Sequence, residues 1–427
     1  MQFTLIGFIV LIAFGVPIAF VLGLITLISI ATTGNMAMLY SLPSRMFSST
    51  LNFGLVAIPL FILVGELMNY GGITRRLINF CTALLGHVRG GLAYVNVLAN
   101  AMAASIMGSA NAQIAVMSKV MVPEMERQGY KKDFSTALTV SSSVMGPLIP
   151  PSMPFILFAV TANGAVSIAA LFIAGIIPGI LFGIAFAILV SFFARKHNFP
   201  KSERVKFSVI SKSFLNILPA MIIPGAIIIG IMTGAFTATE SAAIASLVAI
   251  LVGFFLYKEL KLKDIPKILI NTTVNSAIVT FLVATASIFG WILTFEQIPQ
   301  LIADYIMSIV SGPMTFLLVV NIFLLLVGMF MEGAAAMIIL VPILMPVALS
   351  YGIDPLHFGV IVVVNLTIGI LTPPVGTGLF IASSIVDITL ERLIKSVIPF
   401  LVAALIVLLI ITYIPSISTW IPSQMTK

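Results

Sequence analysis

The sequence predicts an all-α polytopic membrane protein with two inverted-topology repeats, each containing a re-entrant hairpin and a broken helix. Three observations support this fold class: a strongly apolar composition, an internal repeat of helix-breaking residues, and basic residues clustered in particular loops. Of the 427 residues, 60% are hydrophobic and 8% are charged, and the mean hydropathy is +1.21. A soluble domain carries about 25% charged residues, so lipid must solvate most of this chain.

This composition excludes a cytosolic enzyme, a nucleic-acid-binding protein and a disordered linker. Lys and Arg exceed Asp and Glu by 21 − 14 = 7, an excess typical of cytoplasmic loops near anionic headgroups. The one cysteine, Cys81, cannot form an intramolecular disulfide. No P-loop motif occurs, so we expect no bound nucleotide. Residues 1–30 are apolar for too long to be a signal peptide, which predicts a first membrane helix.

The long apolar segments divide into two kinds. A helix needs about 20 apolar residues to cross the hydrocarbon core. The uninterrupted candidates are 3–30, 54–70, 167–194, 214–235, 238–257, 274–295 and 396–416. Other segments are interrupted in the middle by Gly, Pro, Ser or Asn, namely 91–128, 134–164, 314–350 and 356–385. The interruptions predict that the chain turns or unwinds inside these segments.

The basic residues indicate the orientation of the chain in the membrane. Clusters lie at 75–89, 127–132, 195–212, 258–267 and 392–395, and we place all of them in the cytoplasm. Segment 91–128 has basic flanks on both sides, so it must be a cytoplasmic re-entrant hairpin with its tip near Ser109. The flanks of 314–350 carry no Lys or Arg, so this hairpin should enter from the opposite side. The N-terminus then lies inside and the C-terminus outside.

The two halves of the chain are related by an internal repeat. Aligning Pro123 with Pro346 gives an offset of 346 − 123 = 223 and seven identities over 29 positions without a gap. Five of these identities are Gly or Pro, the residues that most restrict backbone shape. Together with the charge distribution, the repeat predicts two inverted copies, which is typical of secondary transporters with a binding site at the membrane midplane.

The two interruptions of the broken helices predict a polar cavity, because each unsatisfied backbone group in hydrocarbon costs several kcal/mol. They read Gly146-Pro-Leu-Ile-Pro-Pro-Ser152 and Gly369-Ile-Leu-Thr-Pro-Pro-Val-Gly376. Carbonyl groups freed by the prolines suit Na⁺, and the half-helix N-termini beyond the breaks suit a carboxylate. One proline can merely kink a membrane helix, but a doubled and repeated Pro-Pro favours the cavity.

Side-chain oxygens lie at the hairpin tips and beside the breaks. Ser109 and Asn111 lie at the first tip, and Glu332 lies at the second. The breaks are flanked by Ser141, Ser142, Ser143 and Ser152 in the first half and by Asn365, Thr367, Thr372 and Thr377 in the second. Hydroxyl groups also bond harmlessly to carbonyls of their own helix, which stays the alternative for each Ser and Thr.

Glu332 is the strongest single candidate, because a carboxylate deep in a membrane segment costs about 3 kcal/mol to insert. It could bind a cation or stay protonated and hydrogen-bonded, and the alternative is a structural clamp on the hairpin backbone. Glu66 and Glu240 also lie in apolar segments but near helix ends, and the residues around Glu240 favour capping. The histidines, which we expect in loops or at interfaces without metal-ligand spacing, are His87, His197 and His357.

Three motifs in order along the chain carry a family resemblance. They are the first break, the segment Phe236-Thr-Ala-Thr-Glu-Ser-Ala-Ala243, and the segment from Asn365 to Gly376 that contains the second break. They resemble signatures of the large membrane subunit (DctM/SiaM type) of TRAP (tripartite ATP-independent periplasmic) transporters. The resemblance covers essentially the whole chain, and the sequence is similar to the sialic-acid branch of this family.

The resemblance implies secondary active import of an organic acid, with N-acetylneuraminate (sialic acid) favoured, driven by at least two Na⁺ ions. It implies a small four-helix membrane subunit and a periplasmic substrate-binding protein as partners, a location in the bacterial inner membrane, and no enzymatic activity. The fold is similar to that of the ion-transporter superfamily. In that superfamily, hairpins and broken helices move as an elevator against a fixed scaffold.

The resemblance also implies how the chain is divided. We expect scaffold helices at 1–70, a cytoplasmic interfacial arm at 71–90, and the first half of the transport domain at 91–164. Scaffold and repeat-linking helices follow at 165–295, and a second arm lies on the periplasmic side at 296–312. The second half of the transport domain is expected at 313–385, and a last membrane helix with the C-terminal tail at 386–427.

The expected Na⁺ sites lie where a hairpin tip meets a broken-helix loop. Their expected ligands are Ser109, Asn111, Ser142, Gly146 and Pro150 in the first half and Glu332, Gly333, Asn365, Thr372 and Gly376 in the second. The expected substrate contacts are Ser109, Asn111, Ser152, Glu332, Ala336 and Thr377. This chain has Ser-Ala-Asn at the first tip where related dicarboxylate carriers have Ser-Asn-Thr, which leaves the individual ligands open.

Four alternatives stay open at this point. The substrate could be a C4-dicarboxylate or another carboxylate, or the chain could be a stand-alone Na⁺/dicarboxylate symporter that needs no binding protein. A membrane-embedded enzyme would turn over a substrate without a gradient, but no nucleophile and base motif occurs. A purely structural subunit would tolerate substitution of Pro150, Pro374 and Glu332 without loss of transport.

Overall fold

The computed structural model of the chain describes residues 7–425 except 9, 12–13, 35, 163, 198, 202–204 and 311. In this part of the chain all regular secondary structure is helical. Residues 3–6, 9 and 12–13 of the predicted first membrane helix and Arg204 of the largest basic cluster lie outside the described residues. The prediction of one uninterrupted helix over 3–30 is wrong, because residues 14–17 are not helical, Gly15 has a φ of 73°, and the helix begins at Ile18.

The helices follow one another with short connections. Before the first hairpin they are α1 (Ile18–Thr33), α2 (Leu42–Thr50), α3 (Ala57–Tyr70) and α4 (Ile73–Leu85). The first interrupted region contains α5 (Gly91–Met107), α6 (Ala110–Arg127), α7 (Lys132–Ser142) and α8 (Met153–Thr161). It is followed by α9 (Ile168–Ala174), α10 (Ile176–Lys196), α11 (Phe207–Met232), α12 (Ala238–Leu251) and α13 (Ile265–Phe295). The remaining helices are α14 (Ile298–Ile309), α15 (Pro313–Phe330), α16 (Gly333–Ser350), α17 (Pro355–Gly369), α18 (Thr377–Val386), α19 (Leu390–Tyr413) and α20 (Ser416–Met425).

Eight helical stretches in the described part of the chain are long and apolar enough to cross a membrane, which confirms a polytopic membrane protein. Several predicted boundaries differ from the observed ones. The helix expected at 274–295 begins at Ile265, and the helix expected at 396–416 spans Leu390–Tyr413. These helices extend into polar sequence because long Lys and Arg side chains near a helix end can reach the headgroup region and water.

Both predicted re-entrant hairpins are present. In the first, α5 and α6 pack together and turn at Gly108, whose φ of 58° favours glycine, and at Ser109. In the second, α15 and α16 pack together and turn through Met331 and Glu332, which are both extended. Each tip therefore ends one helix and starts the next within two residues.

Both predicted broken helices are also present. After α7 the chain forms a 3₁₀ turn at Ser143–Met145 and resumes a helix as α8. After α17 it resumes as α18 at Thr377. Both Pro-Pro bonds, Pro150-Pro151 and Pro373-Pro374, are cis.

The two halves are inverted, and helices of each half pack against helices of the other. Four helical stretches between the hairpins are long and apolar enough to cross a membrane, namely α9 with α10, α11, α12 and α13, and the first broken helix makes a fifth crossing in the predicted layout. Because five is odd, the hairpins enter from opposite sides. The second helix of each hairpin packs against the far part of the broken helix in the other half, α6 with α18 and α16 with α8. A Cβ atom on Gly378 would lie 2.7 Å from Ile114 Cδ1, so α18 and α6 are in close contact.

Polar contacts fix several helix ends. The capping box predicted at Glu240 is present: its backbone N–H donates to Thr237 Oγ1 at 3.2 Å, and its carboxylate accepts from the Thr237 N–H at 2.8 Å. The expectation that His357 lies in a loop or at an interface is wrong. His357 is buried in the first turn of α17, and its ring nitrogens lie 3.3 Å from Ser418 Oγ and 3.1 Å from Thr412 O.

The C-terminal tail therefore contains a helix that the sequence did not predict. Helix α20 packs against α9 and α17. Its ten residues are too few to cross a membrane, so a search for long apolar segments misses it. Helices lie at Ile73–Leu85 and Ile298–Ile309, within the predicted segments 71–90 and 296–312, and their role as interfacial arms stays a prediction.

Candidate functional site

The two hairpin tips face a common small cavity of about 110 Å³. Its walls come from both tips, from α8 and α17 of the two broken helices, and from α13. The lining residues are Gly108, Ser109, Ala110, Asn111, Pro147, Met153, Pro154, Leu157, Val279, Glu332, Gly333, Ala334, Met337, Val363, Leu366, Thr367 and Ile370. The inverted repeats therefore bring two segments more than 200 residues apart to one place.

The small cavity lies at two helix N-termini that have no side-chain cap. Ser109 is the N-cap of α6 and Glu332 is the N-cap of α16, and neither side chain makes a capping hydrogen bond. The first-turn N–H groups of a helix have no partner within the helix, and they carry partial positive charge. Two such ends facing one cavity form a site suited to an anionic group.

A larger cavity of about 450 Å³ adjoins the small one and shares Ser109 and Glu332 with it. Its opposite wall consists of α3 and α13. The polar groups on that wall are Glu66, Asn69 and Asn275, and Asn271 Nδ2 donates to Glu66 Oε2 at 3.4 Å. A volume of 450 Å³ falls within the range of about 300–1,000 Å³ that holds small organic ligands.

The first tip packs against the first break. A Cβ atom on Gly108 would lie 3.0 Å from Pro151 O, and one on Gly146 would lie 2.6 Å from Gln113 Oε1. Gln113 Nε2 donates to Asn100 O at 2.7 Å and to Asn100 Oδ1 at 2.9 Å, which orients its Oε1 away from that bond. Four buried side-chain oxygens in this region have no hydrogen-bond partner among the described residues: Asn111 Oδ1, Gln113 Oε1, Ser141 Oγ and Ser142 Oγ.

The second tip packs against the second break in a related way. The Gly376 N–H donates to Met329 O at 3.2 Å, and a Cβ atom on Gly369 would lie 2.6 Å from Gly328 Cα. Asn365 Oδ1 and Thr377 Oγ1 are buried without a hydrogen-bond partner in the described part of the chain. Both junctions thus contain buried hydroxyl or amide oxygens that have no hydrogen-bond partner among the described residues.

Buried amides hold each hairpin to the broken helix of its own half. In the first half Asn96 Nδ2 donates to Thr139 Oγ1 at 2.6 Å, and in the second Asn365 Nδ2 donates to Asn321 Oδ1 at 2.7 Å. The repeat pairs Asn96 with Asn321, so the two bonds involve equivalent positions of the hairpins, with Asn96 as the donor in the first half and Asn321 as the acceptor in the second. Bonds of this kind in a low dielectric fix the spacing of the two elements.

The structure brings only some of the predicted site residues to the cavity. Ser109, Asn111, Glu332 and Gly333 line it. Others lie behind it at the two junctions, namely Ser142, Gly146, Pro150, Asn365, Thr372, Gly376 and Thr377. The Thr372 hydroxyl donates to Ile368 O at 3.0 Å, which matches the back-bonding alternative for this residue.

Two predicted substrate contacts do not reach either cavity. The buried Ser152 hydroxyl donates to Pro147 O and accepts from the Phe155 N–H at 3.3 Å, so it caps α8. Ala336 is completely buried on α16. Ser152 is near the first break in sequence and Ala336 is near the second tip, but this nearness did not indicate where their side chains point.

Glu332 is exposed to the shared space. Among the described residues no group donates a hydrogen bond to its carboxylate, which is unlike a structural clamp. No Lys, Arg or His lines either cavity in the described part of the chain, whereas the carboxylates of Glu332 and Glu66 do. The described lining of the two cavities thus offers carboxyl groups and no basic side chain.

Sequence reasoning missed Gln113, Asn100 and the polar wall at Glu66. Gln113 and Asn100 are amide residues within the hairpin helices, and this was the available signal for both. Glu66 was not chosen as a site residue because it lies near a helix end. Its position beside the cavity depends on the packing of α3 against α13, which lies about 200 residues later in the chain.

Comparison with known proteins identifies the family. Residues 5–417 match the model of the "Tripartite ATP-independent periplasmic transporter, DctM component". The chain belongs to this TRAP transporter family. The large sialic acid TRAP permease SiaM of Vibrio cholerae is 38% identical over 98% of this chain and 97% of that protein. The large C4-dicarboxylate TRAP permease DctM of Pseudomonas aeruginosa is 38% identical over 90% of this chain and 89% of that protein.

The fold of this TRAP large permease is similar to that of a solved transporter. The YdaH transporter of Alcanivorax borkumensis has a TM-score of 0.66 and 14% sequence identity, covering 95% of this chain and 97% of that one. TRAP large permeases are transport proteins rather than enzymes, and they work with a small membrane subunit and a periplasmic binding protein. The resemblance seen in the motifs is therefore confirmed over the whole chain.

Proposed function

We propose that this TRAP large permease imports a hydroxylated organic acid, with N-acetylneuraminate favoured, together with Na⁺ ions. One observation carries the proposal: two uncapped helix N-termini meet at a small cavity lined by Glu332, which adjoins a larger cavity lined by Glu66, and among the described residues neither cavity has a basic side chain. The N-termini attract a carboxylate, and the side-chain carboxylates require cations to accompany it.

The carboxylate of the substrate is proposed to bind between the first turns of α6 and α16. Ala110 and Asn111 of α6 and Gly333 and Ala334 of α16 line the small cavity there. Their backbone N–H groups are donors that need no charged side chain. The small side chains of Ala110, Gly333 and Ala334 leave room for close approach to the backbone.

The Na⁺ ions are proposed as co-transported substrates at the two tip–break junctions. The orphaned oxygens of Asn111, Gln113 and Ser142 support one site, and those of Asn365 and Thr377 support the other. A buried oxygen without a partner costs about 1–3 kcal/mol, a penalty that a bound cation would remove. Glu332 would supply negative charge beside the second site.

The rest of the substrate is proposed to extend into the larger cavity. Glu66 can accept hydrogen bonds from hydroxyl groups, and the amides of Asn69 and Asn275 can both donate and accept. A wall of this kind fits a polyhydroxylated acid, whereas the second carboxylate of a C4-dicarboxylate would be repelled by Glu66. The sialic acid named for the Vibrio cholerae relative is such a polyhydroxylated acid.

Uptake of labelled acids by proteoliposomes tests this proposal. The chain is reconstituted with its small membrane partner and periplasmic binding protein, and N-acetylneuraminate and succinate are compared with and without an inward Na⁺ gradient. We expect N-acetylneuraminate uptake only with Na⁺ and the binding protein. Preferred succinate uptake would overturn the substrate, and uptake driven by protons in Na⁺-free buffer would overturn the coupling ion. Uptake without the binding protein would favour a stand-alone symporter.

A pair of variants tests whether the polar wall of the larger cavity, formed by Glu66, Asn69 and Asn275, recognises the substrate. Glu66→Gln should raise KM for the hydroxylated acid about tenfold, because a charged acceptor contributes about 1.5 kcal/mol more than a neutral one. The half-saturating Na⁺ concentration should stay unchanged. Glu126→Gln is the matched control, since Glu126 is exposed at the opposite end of α6 and lines neither cavity. Equal KM values in the two variants would contradict the role of Glu66.

The proposed setting is the bacterial inner membrane, where the basic loops face the cytoplasm. An elevator motion of the hairpins and broken helices against the other helices is proposed as the transport step. Gly65 of α3 lies where these parts touch, since a Cβ atom there would lie 2.9 Å from Ile106 O of the first hairpin. A contact without a side chain offers little resistance to sliding.

A further inference from the structure

A third cavity of about 400 Å³ lies away from the hairpin tips. Three elements that are distant in sequence form it: the connection before α7, the end of α10 with the loop that follows, and α19. Each element contributes a basic group, namely Lys131, His197 and Lys395, and Asp133 is the acidic group in the lining. The cavity is therefore a polar pocket between membrane helices rather than a gap in apolar packing.

The first turn of α7 adds backbone donors to this pocket. Lys131 is the N-cap of this 11-residue helix and makes no side-chain capping bond. The first N–H that bonds within the helix is that of Ser135, which donates to Lys131 O at 3.0 Å. The preceding N–H groups remain available, and their partial positive charge adds to that of the lysines.

Aromatic rings form an apolar floor beside the basic groups. The ring centroid of Phe134 lies 5.5 Å from that of Phe193 and 4.9 Å from that of Phe199. His197 stacks on Phe193 with centroids 6.0 Å apart. A pocket with cationic groups next to an apolar floor matches an amphipathic ligand that has an anionic head and an apolar body.

The position of the pocket indicates that such a ligand comes from the membrane. Three of the basic clusters that we place in the cytoplasm meet here, those at 127–132, 195–212 and 392–395. Basic pockets between membrane helices on this side face a leaflet that contains anionic lipid. Lys395 Nζ lies 2.7 Å from Glu391 Oε1 in an ion pair. Because both side chains are highly exposed, this ion pair is weak and a phosphate can compete for the lysine.

We propose that this pocket binds the phosphate headgroup of an anionic phospholipid. Lys131 and Lys395 would contact the phosphate from two sides, the first turn of α7 would donate backbone N–H groups, and the aromatic floor would contact the glycerol and acyl carbons. A lipid bound here would join the first broken helix to α10 and α19. This proposal does not depend on the identity of the transported acid.

Native mass spectrometry of the full chain with short-chain phosphatidylglycerol tests the proposal. Each lysine near a phosphate contributes about fivefold in affinity, so Lys131→Ala with Lys395→Ala should weaken binding about 25-fold. Ser396→Trp should also prevent binding, because it fills the pocket and leaves both lysines in place. Lys267→Ala is the matched control, since Lys267 is an exposed basic residue outside the pocket and should bind lipid as the wild type does.

Three outcomes would overturn the proposal. The double variant could bind phosphatidylglycerol within twofold of the wild type, which would remove the lysines from the site. Phosphatidylcholine could bind as tightly as phosphatidylglycerol, which would leave only apolar contact. Inorganic phosphate at millimolar concentration could displace the lipid completely, which would assign the pocket to a soluble phosphate compound instead.

Discussion

Replacing Gly369 by alanine tests whether the second junction depends on the close approach of two helix backbones. A Cβ atom at this position would lie 2.6 Å from Gly328 Cα, and ordinary contact begins at 3.4 Å, so α15 and α17 must separate by about 3.4 − 2.6 = 0.8 Å. Adding a methyl group to a packed interior costs about 1–3 kcal/mol. That cost corresponds to a change of roughly 5- to 150-fold in the folding equilibrium.

The same displacement should weaken the proposed cation site. The Gly376 N–H donates to Met329 O at 3.2 Å, next to the contact that alanine would force apart. Moving α15 by about 0.8 Å is enough to break a bond of this length. We therefore expect Gly369→Ala to lower the midpoint of thermal unfolding and to raise the half-saturating Na⁺ concentration for uptake about tenfold.

A second glycine in a membrane helix provides the control. A Cβ atom on Gly290 of α13 would meet nothing within 4 Å. Alanine there should be neutral or stabilise the helix by up to about 1 kcal/mol. Thermal unfolding in detergent and Na⁺-dependent uptake are measured for both variants. If Gly369→Ala matches Gly290→Ala in both measurements, close backbone contact does not determine the geometry of the junction.

Three further predictions concern single polar groups. Glu332→Ala should abolish or strongly weaken uptake while membrane insertion and thermal stability stay unchanged, and wild-type uptake would refute its role as a ligand. Asn365→Ala should lower stability by about 1–3 kcal/mol, because Asn321 Oδ1 loses its buried donor, and thermal unfolding measures this cost. Thr237→Ala should lower stability by about 1 kcal/mol through loss of the cap on α12, with no change in the Na⁺ dependence of uptake.

Helix breaks could be predicted from sequence because Gly and Pro act on the backbone locally. Pro150 and Pro374 remove hydrogen-bond donors whatever surrounds them, so both breaks and both hairpins are found where the sequence indicated. The inverted arrangement followed from counting basic flanks, which depends on loops rather than on packing. These features need no knowledge of which helices touch.

The direction of individual side chains could not be predicted in this way. Ser152 was expected at the substrate, but its hydroxyl caps α8, a role that depends on where the helix resumes. Gln113 was not expected at the first junction, because its orientation is set by Asn100 on the other arm of the hairpin. Such roles depend on contacts between segments, and one sequence without that packing does not contain them.

The packing of each hairpin against the broken helix of the other half explains why one site needs both repeats. In either half alone, the uncapped first turn of α6 or α16 would point its N–H groups into hydrocarbon, at a cost of several kcal/mol for each group. Because α6 packs on α18 and α16 packs on α8, both first turns instead line one small cavity. A carboxylate bound there, as proposed, would satisfy donors of both halves at once, and Glu332 and Glu66 would make its binding depend on cations. In this proposal, coupling of the acid to the cations follows from charge balance in this space, and a basic residue introduced at Ala334 should allow the acid to bind without Na⁺.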